Sequence, residues 1–257
     1  AFGEKWKTYS ERITGKVTGY TFDIQEEPRL TASEGRDVCI VANETSNGTA
    51  FPREVLKSAR AGGGLVLVDA VSSMGGADHD ISLGDIWIGS SQKCLGLPSG
   101  MGIMLLSPAA LERAAEINDH RFYNSLLFIE SQFDRFQTPY TPNILAVYLL
   151  KRLLENLENV SVISERVSRR AGGIYRFLES FTGGDPLIRN PSVRSATVIA
   201  VNSREASRVS DYLLRHGVII GKGYGPWKGS TFRIANFPAI SDGDFEVLFD
   251  LLRNFAN

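Results

Sequence analysis

Residues 65–100 read LVLVDAVSSMGGADHDISLGDIWIGSSQKCLGLPSG. Two short apolar runs stand out in this stretch, Leu65–Val68 and Ile86–Ile88. Runs this short and this continuously apolar are buried on both faces, as the strands of a parallel sheet are. The first ends on an acid, Asp69. The second continues through Gly89-Ser90-Ser91-Gln92 into Lys93. Ligands of open parallel sheets sit outside the carboxyl ends of the strands. Asp69 and Lys93 are therefore both expected at the ligand-binding edge.

An acid and a lysine at such an edge suit pyridoxal phosphate. The lysine can form a Schiff base, and the acid can keep the pyridine nitrogen protonated so that the ring accepts electrons. Each residue also has a plainer reading. Lys93 could be a solvated lysine in a Gly/Ser-rich loop. Asp69 could cap a turn through Ser72 or Ser73, although an acid between Val68 and Ala70 is costly to bury without a partner.

The run VDAVSSMGG followed by GSSQKCLGLPSGMGIMLLSP resembles the core of the class V aminotransferases, which are fold type I pyridoxal phosphate enzymes. The resemblance implies an α/β fold: a large domain with a mostly parallel sheet and helices on both faces, and a small α+β C-terminal domain. The division is expected at residues 1–155 and 156–257. It also implies roles. Lys93 is the catalytic Schiff-base lysine, Asp69 the partner of the ring nitrogen, and Gln92 a ligand of the cofactor phosphate. Phe2, in the opening AFGEKW, corresponds to an aromatic that stacks on the ring, and Val71 would pack on the opposite face. Thr45, in Asn43-Glu44-Thr45, corresponds to a threonine that contacts the ring hydroxyl; read locally, Asn43–Gly48 is an ordinary polar turn. Gln137, Thr138 and Thr141, in FQTPYTP, correspond to a segment that binds the phosphate of a partner's cofactor across a dimer interface. Read locally, they form a proline-bounded loop. Arg233 corresponds to the arginine that holds the substrate α-carboxylate, a task suited to the two parallel hydrogen bonds of a guanidinium.

The implied activity is ping-pong transamination between an amino acid and a 2-oxo acid in a homodimer; the two cysteines make a reducing, cytoplasmic setting the default. The segment Arg233–Ile240 and the QTPYTP spacing are similar to phosphoserine aminotransferases. Those enzymes place His-Arg where this chain has Pro226-Trp227, so Lys222 or Lys228 would have to meet the substrate phosphate as point charges. The Ser-Gln-Lys stretch is equally similar to alanine– and serine–glyoxylate aminotransferases, which form the alternative to the preferred phosphoserine:2-oxoglutarate reading. Cysteine desulfurases carry His before the lysine, and Gln92 points away from them. In the resembled family a glycine-rich phosphate-binding turn precedes the counterpart of AFGEKW. The sequence begins at Ala1 without it, so a fragment, or a sequence given without its N-terminal part, is the expectation. A non-catalytic fragment of such an enzyme is accordingly a reading from another class.

The totals agree with a globular protein. The 257 residues are 43% hydrophobic and 22% charged, with a net charge of −1. That balance gives no electrostatic reason to expect nucleic acid or an anionic membrane as partner. Two cysteines, Cys39 and Cys94, are too few for a disulfide framework. Asp78-His79-Asp80 is too closely spaced to converge on one metal ion and reads as a solvated loop; no metal is expected.

Working outward, a helix is predicted over Glu4–Ile13 with Trp6 and Tyr9 inward, and a strand over Lys16–Phe22. A polar loop follows over 26–35, then a strand at Val38–Ala42. A helix opens with Pro52 at its first position. Beyond Lys93 the pattern predicts a strand at Met101–Leu106 and helices at Pro108–Ile117, Asn143–Leu157 and Val160–Phe181, the last open to interruption at Gly172-Gly173. Strands at Ser195–Val201, Val218–Ile220 and Phe232–Ile234 alternate with helices at Ser203–His216 and Asp242–Phe255.

Overall fold

The computed structural model describes residues 1–30 and 35–256. The 31–34 part of the predicted polar loop lies outside them. Helix α1 (Phe2–Thr14) comes first and stops at Gly15, whose φ of 69° suits a residue without Cβ. Strand β1 (Val38–Val41) follows, then a small hairpin of β2 (Asn43–Glu44) and β3 (Thr49–Ala50). Helix α2 (Arg53–Ala61) connects to β4 (Val66–Asp69), and a 3-10 turn at Ile81–Leu83 leads to β5 (Ile86–Ser90). Next come β6 (Gly102–Leu106), α3 (Pro108–Ile117), α4 (Leu126–Phe133), α5 (Ile144–Glu155) and α6 (Val160–Ser180). The chain ends with β7 (Asp185–Pro186), β8 (Val198–Asn202), α7 (Ala206–Arg215), β9 (Gly221–Lys222), β10 (Thr231–Ala235) and α8 (Asp242–Ala256).

The first sheet has the order β1-β4-β5-β6. β1, β4 and β5 are parallel; β6 runs antiparallel to β5. The reversal follows from the eleven-residue loop between β5 and β6, which folds straight back on itself: Ser91 N–H donates to Met101 O at 3.1 Å and Ser91 Oγ to Pro98 O at 2.7 Å. One face of the sheet presents Ile40, Val66, Val68 and Trp87 to Val55, Leu56 and Ala59 of α2. On the other face α1 approaches β1, with Gly3 against Val41.

The second sheet has the order β7-β8-β10-β9, all antiparallel. Its core joins Ile199 and Val201 of β8, Phe232 and Ile234 of β10, and the inner faces of α6, α7 and α8. Phe232, Ile174 and Leu213 are fully buried there. This α/β architecture is what the apolar runs predict.

Several local expectations are corrected. Lys16–Phe22 forms no strand: it is largely exposed and no described strand pairs with it, and a lone extended segment has no ladder to satisfy its backbone. β-Propensity alone does not supply a partner. Tyr9 points to solvent, 59% exposed, because α1 buries none of its residues fully. Pro52 precedes α2 with ψ 149°, an extended cap rather than the first helical turn. Val218–Ile220 is irregular and the strand falls at Gly221–Lys222, where the register with Phe232 and Arg233 supplies the ladder. α6 runs through Gly172-Gly173 unbroken, because its apolar stripe from Ile163 to Leu178 packs into the core on both sides of the pair. Asp78–Asp80 is not a solvated loop throughout. His79 is partly buried, its ring centroid 5.2 Å from that of Trp87 and its Nε2 2.7 Å from Ser73 Oγ. Burial lowers its pKa.

Candidate active site

Because β1, β4 and β5 are parallel, their carboxyl ends share one edge. β1 opens there into the Asn43–Ala50 hairpin, β4 into the turn after Asp69, and β5 into the loop that carries Gln92 and Lys93. The two residues that organise the sequence reading thus meet at the same edge.

Asp69 is partly buried, and its Oδ1 accepts the Val71 N–H at 2.9 Å. The turn-capping role is therefore real, made through Val71 rather than Ser72 or Ser73. Among the described residues no cationic side chain forms an ion pair with Asp69. Burial raises its pKa, the Val71 N–H lowers it, Glu44 raises it and Lys93 lowers it. The net shift is upward.

Lys93 is also partly buried. Burial lowers its pKa first, and the positive charge of Arg233 lowers it further, against smaller opposing effects of Cys94 and Asp69. A primary amine here is easier to deprotonate than an ordinary surface lysine. Gln92 is exposed beside it. Cys94 is buried, with its Sγ 3.3 Å from Ser72 O, and burial pushes its thiol up to about 12. It is unreactive at neutral pH.

Arg233 comes from the second sheet. Its Nε donates to Lys222 O at 2.9 Å and its Nη1 to Thr45 O at 3.0 Å. The guanidinium thus bridges β9 to the hairpin after β1, leaving its Nη2 donors and one on Nη1 for a ligand. Thr45 itself hydrogen-bonds Ser72 through their hydroxyls.

Phe2 stands at the N-terminus of α1, its ring stacked on Tyr224 at 5.1 Å between centroids and 10° between planes. Lys5 Nζ donates to Tyr224 Oη at 2.5 Å, and the Arg233 guanidinium lies 5.9 Å from the same ring. Val71 is partly buried next to Ser72.

Gln137, Thr138 and Thr141 stand apart from this cluster. With Phe133, Phe136 and Tyr140 they line a surface groove between α4 and α5, and Phe136 is 99% exposed. Tyr140 stacks on Tyr123 at 4.1 Å.

Glu44 and Tyr224 also belong to the sheet-edge cluster, and the sequence pattern assigns neither a role. Glu44 is the informative case: a charged residue inside the motif that carries Thr45 is a signal in plain view. A tyrosine in a glycine-rich loop gives none until the fold sets it on Phe2. Asn43 and Asn47 are buried at 5% and 4%. Asn43 accepts Ser195 Oγ at 2.6 Å across the two sheets, and its Nδ2 has no partner among the described residues.

These residues fit pyridoxal phosphate. Asp69 lacks a cation that a protonated ring nitrogen would supply. Lys93 is an amine of lowered proton affinity, and the Thr45 and Ser72 hydroxyls lie on the same edge.

Residues 11–226 match the family Aminotransferase class-V. The chain is 30% identical over 239 residues to a phosphoserine aminotransferase of Corynebacterium glutamicum, covering 89% of this chain and 63% of that protein. It is 30% identical over 216 residues to a phosphoserine aminotransferase of Rhodococcus opacus, covering 80% and 57%. The chain thus spans about three fifths of the length of these curated relatives. The solved phosphoserine aminotransferase of Cytophaga hutchinsonii superposes over 100% of this chain and 75% of its own, with a TM-score of 0.88 and 25% identity. The solved alanine–glyoxylate aminotransferase of Nostoc covers 86% of this chain and 62% of its own, with a TM-score of 0.76; at 22% identity it speaks for the fold alone.

Proposed function

The chain belongs to the class-V aminotransferases, and from that premise we propose that it moves an amino group between phosphoserine and 2-oxoglutarate with pyridoxal phosphate as cofactor. The observation that carries the reading is the meeting of Lys93, Asp69 and Arg233 at one sheet edge. The relatives named phosphoserine aminotransferase support the choice of donor.

The cofactor, when bound, supplies an aldehyde carbon and an electron-accepting ring. Lys93 Nζ is the group that bonds it and that takes and returns the proton at the substrate Cα. The lowered pKa serves that role, because a free amine is both nucleophile and base. Asp69 would pair with the cofactor's ring nitrogen, Thr45 would meet its ring hydroxyl, Phe2 and Val71 would flank its ring, and Gln92 would meet its phosphate. Arg233 holds the α-carboxylate with its remaining donors, which fixes the direction of the Cα–H bond. Gln137, Thr138 and Thr141 serve a second subunit's cofactor phosphate in a homodimer. The exposure of Phe136 and of Ile144, Leu145 and Tyr148 on α5 supports an interface there. We place the enzyme in the cytoplasm, where two free thiols stay reduced. No helix among the described residues is long and apolar enough to cross a membrane.

The test is to add pyridoxal phosphate to the purified protein and follow the visible band that the cofactor gains on bonding a lysine amine. The band should form in wild type and not in Lys93→Ala, and phosphoserine should discharge it. Discharge by alanine or serine instead would give the site to a glyoxylate-type donor. No band at all, in a protein whose mass shows it to be full length, would refute the cofactor assignment.

A further inference from the structure

The carboxylate of Glu44 is placed where no role in the chemistry above requires one. It is 8% exposed. Its Oε2 lies 3.1 Å from the nitrogen of Ala1, 2.8 Å from that of Phe2 and 3.3 Å from that of Gly3. Its Oε1 accepts the Ser46 N–H at 3.1 Å. Three successive nitrogens at the start of α1 thus converge on one oxygen. These are the donors that a helix cannot satisfy internally, and an anion there also meets the positive end of the helix dipole. α1 has no side-chain cap of its own; Glu44 is its cap, supplied from 42 residues along the chain.

The same hairpin grips the other half of the site. Arg233 Nη1 donates to Thr45 O, Ser195 N–H to Gly48 O at 2.9 Å, and Ser195 Oγ to Asn43 Oδ1. The hairpin is therefore the junction of three parts that the sequence separates: the start of α1, the turn after β4, and the second sheet. Glu44 is the only charged side chain in it.

We propose that Glu44 is a positioning residue. It pins the start of α1, and with it the Phe2 ring, to the hairpin that holds Arg233. This rests on the aminotransferase reading for its purpose, though not for its geometry. Burial on its own would raise the pKa of Glu44. The hydrogen bonds from Ser46 act against it. Burial raises the pKa of Asp69 most, and Glu44 adds to that; burial lowers the pKa of Arg233, against a smaller upward effect of Glu44.

The test uses Glu44→Gln, which keeps the shape and removes the charge, and Glu44→Asp, which keeps the charge with less reach. In the protein without cofactor, regional amide exchange should quicken across Phe2–Thr14 by about tenfold or more in Glu44→Gln, with α8 unchanged as the internal control. The Asp69 carboxyl carbon, followed by NMR, should titrate at lower pH in Glu44→Gln and stay near its wild-type position in Glu44→Asp. Unchanged exchange in α1 would overturn the proposal. So would equal quickening in α1 and α8, which would make Glu44 a general stabiliser. An Asp69 titration that does not move in Glu44→Gln would overturn it as well, because the Glu44 charge would then not stand at this sheet edge. A wild-type protein that never develops the visible band with pyridoxal phosphate would refute the functional reading, while the exchange rates would still decide whether Glu44 pins α1.

Discussion

Replacing Gly48 by alanine tests whether the hairpin is truly clamped to the second sheet. Gly48 has φ +77°, and a Cβ there would lie 2.9 Å from Val198 O and 3.0 Å from Ala200 N. Both obstacles are backbone, so no side-chain rotation relieves them. Left-handed backbone costs an alanine about 1–2 kcal/mol. Forcing the hairpin off β8 adds an overpacking cost of about 1–3 kcal/mol. Gly63 provides the control. Its φ is +78° and nothing lies within 4 Å of a Cβ, so Gly63→Ala should lose only the backbone strain, about 1–2 kcal/mol. Urea unfolding of the two variants in parallel reads the difference, and thermal midpoints should separate by roughly 2–4 °C per kcal/mol. The Gly48 variant should be the less stable by about 1–3 kcal/mol. Equal losses would mean that β2–β3 does not press on β8, and the junction drawn between the two sheets would be wrong. Because Thr45 and Glu44 ride on the same hairpin, the Gly48 variant should also bind pyridoxal phosphate more weakly than the Gly63 variant.

Three further outcomes are expected. Asp69 binds its proton more tightly in the native state than unfolded, so its ionisation costs stability as pH rises through its native pKa; Asp69→Asn should match or exceed wild type in thermal midpoint at pH 7, converge with it near pH 3, and lose about a hundredfold or more in amino transfer. Lysine at position 233 cannot form the two-pronged contact, so Arg233→Lys should raise the amino-donor KM by about tenfold or more, measured by steady-state kinetics. Arg170 donates to Asn236 Oδ1, Phe237 O, Ile240 O and Asp242 Oδ1 and lies 4.5 Å over the Phe245 ring; Arg170→Ala leaves those acceptors unpaired and should cost about 3 kcal/mol in urea unfolding, whereas Arg253→Ala, on an exposed pair with Asp250, should cost less than about 1 kcal/mol.

The strands at the heart of the site were legible because one face is buried against α2 and the other is partly covered, and that demand writes itself as apolar runs such as Val66–Val68. The Asp69 and Lys93 placements followed, since a residue at the end of a parallel strand has only one edge to occupy. The failures share a cause. Lys16–Phe22 has strand-forming residues, yet a strand exists only where another strand offers its backbone. The tail strand moved from Val218–Ile220 to Gly221–Lys222 because register with Arg233, not side-chain preference, decides where a ladder forms.

By itself, then, the sequence determined the class of fold and the family, and it set Asp69 and Lys93 at one sheet edge. It did so through local rules: burial of short apolar runs, and residues fixed at strand ends. What only the tertiary structure decided is how distant pieces meet: Glu44 under the start of α1, Phe2 on Tyr224, and Arg233 on Thr45 across 188 residues. Those contacts depend on chain crossings and on the docking of two sheets. No local pattern in a sequence encodes which charge will lie beside which, because the distance between them is set by everything that packs in between.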